Sequence, residues 1–188
     1  MKFLKYLLIP TVVLVLAFIA VGFIHPEVDY GSEIVVNKPL EEAWAVSEDA
    51  DKYHLWLDGF KSMYLIEGEY GTVGSKYKII VNPGDGQEDF EMVETVISRE
   101  EFDHVQMHFD SDMMDFKQTI SFSETEEGVA IVTESKVIGK GAMMRSMFAL
   151  MEHLSGAFTK QEQKNMNALK KVIEENTTVY GMQSSNVN

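Results

Sequence analysis

The chain has 188 residues, no cysteine and a formal net charge of −14 at pH 7. Without cysteine it has no disulfides, no thiolate metal site and no cysteine nucleophile. The acidic charge repels the phosphates of nucleic acids, so we expect no nucleic-acid partner.

An unbroken apolar run covers residues 6–24, and Lys2 and Lys5 precede it. A helix that crosses a bilayer needs about 20 apolar residues. The run therefore predicts a single transmembrane anchor, followed by a short linker that ends near residue 28. Because positive charge favours the cytoplasmic side, we expect the rest of the chain to be extracytoplasmic. The alternative is a cleaved secretory signal, although its apolar core is usually only about 7–15 residues long.

Residues 29–175 have the length of one domain, and the order of their elements predicts an α+β fold. A strand at 32–36 is followed by a helix for which Asn37 is the predicted cap. A second short helix is predicted at about 49–57. Two short helices therefore follow the first strand.

Six further strands are predicted from β-forming runs between turns rich in glycine or acidic residues. They cover residues 61–70, 75–82, 88–98, 102–111, 114–123 and 129–138. Apolar residues alternate clearly at Val105, Met107 and Phe109, and again between residues 114 and 122. We therefore predict seven antiparallel strands and a sheet with one buried face.

The last predicted element is one long amphipathic helix from residue 141 to about residue 175. Its apolar positions recur at three- and four-residue spacing. They are Met144, Met147, Phe148, Met151, Leu154, Phe158, Met166, Leu169, Val172 and Ile173. The polar tail at 176–188 has no such periodicity, and we assign it no role.

This order of elements resembles the SRPBCC superfamily, which comprises the START, polyketide cyclase/dehydrase and birch-pollen-allergen-type proteins. The resemblance is carried by the two short helices marked by Trp44 and by residues 53–56, the glycine hairpin at 71–74, the later strands and the terminal helix. It implies a helix-grip fold, in which a curved seven-stranded sheet wraps the C-terminal helix around an elongated apolar cavity. The usual ligand of such a cavity is a lipid or another hydrophobic small molecule.

The residues themselves also favour a cavity between sheet and helix. Both apolar surfaces must be buried against each other, and both are rich in methionine and phenylalanine. Methionine adapts to variable guests, although simple core filling would produce the same pattern. Gln118 falls within an apolar set, so its buried amide is a candidate for holding the polar end of a ligand. The predicted ligand-binding residues are Trp56, Met107, Phe109, Phe116, Gln118, Met147, Met151, Leu154 and Phe158.

Acid–base catalysis would need a titratable group inside the cavity, where desolvation shifts its pKa. Glu94 and Glu134 lie in strands of mixed pattern, and exposure on the outer face is the expected arrangement for both. His54 is a marginal third candidate. His104 and His108 lie on one strand, about 13 Å apart, which is too far for one metal ion. We expect them to face solvent, and we expect neither a metal site nor a cofactor.

The leading hypothesis is a membrane-tethered domain, not an enzyme, that binds a lipid or another hydrophobic small molecule such as a quinone. The first alternative is a polyketide cyclase/dehydrase-like enzyme that uses the same cavity, with Glu94, Glu134 or His54 as proton carriers. The second alternative is an adaptor that binds a partner protein on its acidic face. Between residues 85 and 115, eleven carboxylates face only Arg99.

Overall fold

The computed structural model describes residues 2–82, 84, 86 and 88–180, with side chains from Leu8 onward. The polar tail predicted at 176–188 therefore lies partly outside the described residues. The helices are α1 (Lys2–Ile24), α2 (Leu40–Ser47), a 3-10 turn (Ala50–Lys52), α3 (Tyr53–Trp56), α4 (Ala142–Ser155) and α5 (Ala157–Glu174). The strands are β1 (Val28–Val36), β2 (Phe60–Glu67), β3 (Lys76–Val81), β4 (Phe90–Glu100), β5 (His104–Asp110), β6 (Met114–Thr125) and β7 (Gly128–Gly139).

The seven strands form one antiparallel sheet in the order β1-β7-β6-β5-β4-β3-β2. Consecutive strands pair as hairpins from β2 to β7, and β1 joins the sheet beside β7 with Val36 opposite Val129. The prediction of seven antiparallel strands is confirmed. Strand β1 begins at Val28, four residues earlier than predicted, because it pairs with β7 along its whole length.

The short helices after β1 lie close to their predicted positions, but Asn37 does not cap α2. That helix begins at Leu40, directly after the extended residue Pro39, and no side chain caps it. The second helical segment is a 3-10 turn that runs into the single turn α3, where Trp56 is buried. This segment places two aromatic side chains, Tyr53 and Trp56, beside the sheet.

The prediction of one long C-terminal helix is wrong, because Gly156 divides it into α4 and α5. Gly156 has a φ of 63°, a left-handed conformation that glycine adopts without a steric penalty. Its N–H donates to the carbonyl oxygen of Glu152 and closes the last turn of α4. The apolar stripe read from the sequence is therefore divided between two helices with different neighbours.

Helix α5 covers the inner face of the sheet and supplies much of the core. Met166, Leu169 and Ile173 are almost fully buried, together with Val36 of β1 and Ile131 of β7. Met166, Leu169 and Ile173 recur at three- and four-residue spacing along α5, which places them on the side that faces the strands. The first two turns of α5 lie beyond this core and help to form the site described below.

The C-terminal end of helix α1 packs against α4. The N–H of Gly22 donates to Ser146 Oγ at 2.9 Å, and a Cβ atom at Gly22 would lie 2.5 Å from the carbonyl oxygen of Ala142. Glycine thus permits a close approach of the two helices. Among the residues whose side chains are described, which begin at Leu8, no helix is long and apolar enough to cross a membrane.

Candidate functional site

A cavity of about 240 Å³ lies between the inner face of the sheet, α3 and the first half of α5. Its apolar lining consists of Trp56, Leu57, Phe60, Ile79, Val81, Met92, Met107, Phe109, Phe116, Ile120 and Phe158. The volume corresponds to roughly eight water molecules at about 30 Å³ each. It lies below the range of about 300–1,000 Å³ typical of ligand pockets, so it suits a small molecule or one end of a longer one.

The pleat of two neighbouring strands places the aromatic part of this lining. Phe109 of β5 and Phe116 of β6 are opposite each other in register, and their rings stack with centroids 5.0 Å apart. Met107 and Gln118 form the next inward pair in the same register. Phe158, in the first turn of α5, contacts the ring of Tyr30 and closes this side of the cavity.

Glu94 of β4 lies on the inner face of the sheet and lines the cavity. Its side chain is buried, with 7% of the residue exposed, and it makes no hydrogen bond or ion pair with any residue that the structure describes. Burial, together with the smaller effect of the negative charge of Glu48, raises the pKa of Glu94 to about 8. Glu94 is therefore mainly a protonated acid, and a hydrogen-bond donor, at neutral pH.

Glu48 lies at the same end of the cavity and is held in an ion pair with Arg99. Burial raises the pKa of Glu48, and the Arg99 guanidinium opposes that effect. Arg99 is also fixed by Trp44, whose ring centre lies 5.3 Å from the guanidinium carbon. Its positive charge is thus already balanced by a protein carboxylate.

A second polar group of side chains lies where α5 faces β6 and β7. The amide nitrogen of Gln118 donates to Ser135 Oγ and to Glu162 Oε1, each at 3.1 Å. Burial raises the pKa of Glu162, while a hydrogen bond with Thr133 lowers it. Gln118 is predicted to hold the polar end of a ligand, but in the structure its amide N–H groups already donate to two protein side chains.

Six of the nine predicted ligand-binding residues line the cavity. They are Trp56, Met107, Phe109, Phe116, Gln118 and Phe158. The other three, Met147, Met151 and Leu154, lie on α4 and are exposed, and Leu154 is 82% exposed. Their placement in the cavity was wrong because Gly156 ends α4, which packs on α1 instead.

The catalytic candidates are separated by the fold. Glu94 points inward, against the outer-face arrangement expected for it, whereas Glu134 is exposed as expected. His54 is exposed and borders a shallow surface depression on the other side of α3. His104 and His108 do not line the cavity, and their rings contact Asp103 and Asp115.

Glu48, Tyr53 and Glu162 line the cavity but were not among the predicted site residues. Glu162 had a signal in the sequence, because it lies four residues from both Phe158 and Met166 and interrupts the apolar stripe of α5. An acid at a core-facing helix position indicates a functional or specially paired group. Glu48 caps the C-terminus of α2 and Tyr53 begins α3, and no periodicity in the sequence reveals how these short helices pack.

A wider and more open depression of about 620 Å³ adjoins the same strands. Its lining includes Lys117, Thr119 and Lys136, which alternate with the inward-facing residues of β6 and β7. A site exposed in this way gives an apolar ligand little removal of surface from water. We therefore assign the candidate site to the smaller, apolar cavity.

No family model and no curated protein matches this sequence, but solved structures share its fold. Protein CV1439 from Chromobacterium violaceum superposes with a TM-score of 0.61 at 15% identity, over 79% of this chain and 98% of that one. The di-domain ARO/CYC StfQ from the steffimycin biosynthetic pathway gives 0.62 at 12% identity, over 80% of this chain and 52% of that one. Ara h 8.0201 gives 0.57 at 12% identity, over 80% of this chain and 99% of that one. The predicted helix-grip fold is confirmed.

Proposed function

We propose that this helix-grip protein binds a lipid or another hydrophobic small molecule in the cavity between the sheet and α5. The observation that carries the proposal is the apolar cavity of about 240 Å³, lined by aromatic and methionine side chains. Burial of ligand surface there contributes about 25 cal/mol per Å². The similarity to a polyketide ARO/CYC structure supports a role for the cavity with apolar molecules in general.

Compounds that co-purify with the protein test this proposal. The full chain is isolated in mild detergent, extracted with solvent and analysed by mass spectrometry. Met92→Trp adds volume inside the cavity, whereas Ile97→Trp adds the same ring on the exposed side of the same strand. We expect an apolar compound with the wild type and with Ile97→Trp, and little with Met92→Trp. Equal amounts of that compound in all three proteins would contradict binding in the cavity.

An enzyme is the second candidate, and the unpaired Glu94 is the observation that favours it. A buried carboxyl with a pKa of about 8 is suited to proton transfer near neutral pH. In that case Glu94→Gln would still retain the co-purified compound but would no longer convert it. Incubation with that compound, followed by mass spectrometry of the products, separates the two functions, because a carrier returns the compound unchanged.

We also propose that α1 attaches the domain to a membrane, with the domain on the extracytoplasmic side. The large apolar side chains along the described part of α1 are mostly exposed, including Leu14 at 69%. Met143, Met147 and Leu154 of the adjoining helix α4 are exposed as well. Exposed apolar surface on two packed helices supports contact with lipid.

Membrane flotation tests this attachment. Leu14→Arg places a charge in the apolar helix, which costs about 2.5–3.5 kcal/mol at the centre of a bilayer. Leu65→Arg is the matched control, because Leu65 is an exposed residue of β2, far from α1 in the sequence. The Leu14→Arg protein should be lost from the membrane fraction, whereas the Leu65→Arg protein should stay in it like the wild type. Cleavage of the domain by protease added to intact cells would support the proposed orientation.

A further inference from the structure

We propose that the cavity selects an uncharged ligand that presents a hydrogen-bond acceptor, such as a carbonyl oxygen, to Glu94, and that it rejects carboxylates. This inference rests on the proposed function, because it specifies which apolar molecules the same cavity admits. It predicts preference for ketones or quinones over fatty-acid anions of similar size.

Glu94 has no hydrogen-bond partner among the described residues. Its carboxyl lies in the cavity wall, 7% of the residue is exposed, and no described residue bonds to it. Its oxygens open onto the cavity space, and Trp56 Nε1 in the same wall is buried without a described partner, which costs about 1–3 kcal/mol. A ligand atom in the cavity would supply the missing partner.

The charge of the lining disfavours an anionic ligand. Four carboxyl residues line the cavity, and no lysine, arginine or histidine does so among the described residues. The carboxyl residues are Glu48, Asp58, Glu94 and Glu162. A ligand carboxylate would therefore lose its water and gain no counter-charge, which is strongly unfavourable in an apolar site.

The same lining also gives little attraction for a cationic ligand. Glu48 is balanced by Arg99 and Asp58 by Lys164. Burial raises the pKa of Glu94 and of Glu162, which favours their uncharged forms. A buried ammonium would then meet no free negative charge to offset its desolvation.

Tyr53 and Trp56 add neutral donors to the lining. Tyr53 lines the cavity, and burial with the nearby charge of Glu48 raises its pKa well above the ordinary value. Trp56, another lining residue, has a buried Nε1–H without a partner among the described residues. Protonated Glu94 and Trp56 Nε1–H thus offer donors without a partner among the described residues, and an acceptor is the complementary ligand group.

Four naphthalene probes of similar size test the inference on the full-length protein. They are 2-ethylnaphthalene, 2-acetylnaphthalene, 2-naphthoate and 1-(2-naphthyl)ethylamine, each measured by displacement of the uncharged dye Nile red at neutral pH. One net hydrogen bond of about 0.5–1.5 kcal/mol corresponds to a roughly twofold to tenfold gain in affinity. We therefore expect the acetyl compound to bind more tightly than the ethyl compound by that factor, and the naphthoate and the amine to bind most weakly.

Two variants assign this preference to Glu94. Glu94→Leu should lose the preference for the acetyl compound and bind the ethyl compound at least as tightly, because the donor is replaced by an apolar side chain. Glu134→Leu, on the exposed side of the sheet, should keep the wild-type order. Circular dichroism of each variant verifies that the fold is retained.

The outcomes separate this inference from the function on which it rests. If Nile red and all four probes fail to bind, the proposed function itself is wrong. If the ethyl and acetyl compounds bind the wild type equally well, apolar binding stands and selection of an acceptor is refuted. Tightest binding of the amine or the naphthoate would refute the inference in the same way, by showing an available charge in the cavity.

Discussion

The wild-type protein should lose stability as the pH rises because buried Glu94 must ionise. The Glu94→Gln variant should not show this loss. The pKa of Glu94 is about 8 in the folded protein, against an ordinary value of 4.5. The folded protein therefore keeps a proton that the unfolded chain releases. The stability associated with this proton is complete below about pH 4.5 and is lost as the pH rises towards about 8.

The size of the effect follows from the two pKa values. Each pKa unit corresponds to about 1.4 kcal/mol, so the whole gap corresponds to about 5 kcal/mol, and the part below neutral pH to about 3 kcal/mol. Glutamine has nearly the same shape and does not ionise. The free energy of unfolding of Glu94→Gln, relative to the wild type, should therefore rise by about 3 kcal/mol between about pH 4 and about pH 7.

Urea denaturation of both proteins across this pH range measures the difference directly. The other titrating groups are common to both proteins and largely cancel, apart from Glu48, whose charge acts on Glu94. Glu134→Gln, on the exposed side of the sheet, should follow the wild type at every pH. A difference between wild type and Glu94→Gln that stays within about 0.5 kcal/mol throughout would show that Glu94 ionises normally, and the protonated acid in the cavity would be refuted.

Three further outcomes are expected. Gly156→Ala should lower the free energy of unfolding by about 1–2 kcal/mol in urea denaturation, because alanine disfavours the φ of 63° that ends α4. Unchanged stability would contradict that strain. Gly22→Leu should speed proteolysis at the junction of α1 and β1, since its Cβ would lie 2.5 Å from the carbonyl oxygen of Ala142; unchanged cleavage would mean that the helices do not need this close approach. Phe158→Ala should weaken Nile red binding about tenfold or more, while Leu154→Ala should leave it unchanged, because only Phe158 lines the cavity. Equal effects of these two variants would contradict the position of the binding site.

Much of the fold could be predicted from local patterns in the sequence. Alternation in β5 and β6 identified their inward faces, and turns rich in glycine or acidic residues separated the strands. The division at Gly156 could not be predicted, because a single glycine within an apolar stripe is also tolerated inside a helix. Consequently the sequence placed Met147, Met151 and Leu154 in the cavity, whereas the structure exposes them on α4.

The site was predicted less completely than the fold. The side chains that line the cavity through strand alternation or the α5 stripe were found, including Phe109, Phe116 and Phe158. Glu94 was named as a candidate but was expected outside, although it lies between Met92 and Val96 in the inward-facing series of β4. Apolar residues also occupy the other face of β4, at Val93 and Ile97, so the alternation does not show which way Glu94 points.

The sequence by itself determined the class of fold, the antiparallel strands and the apolar faces, because periodicity of two or 3.6 residues is a local property of the chain. The tertiary structure alone decided which titratable groups share the cavity. Glu48, Glu94 and Glu162 come from α2's C-terminal cap, β4 and α5, and they meet only after these elements pack. Burial raises the pKa of all three, and the charge of Glu48 also acts on Glu94. Both effects depend on distances between elements that no local pattern specifies.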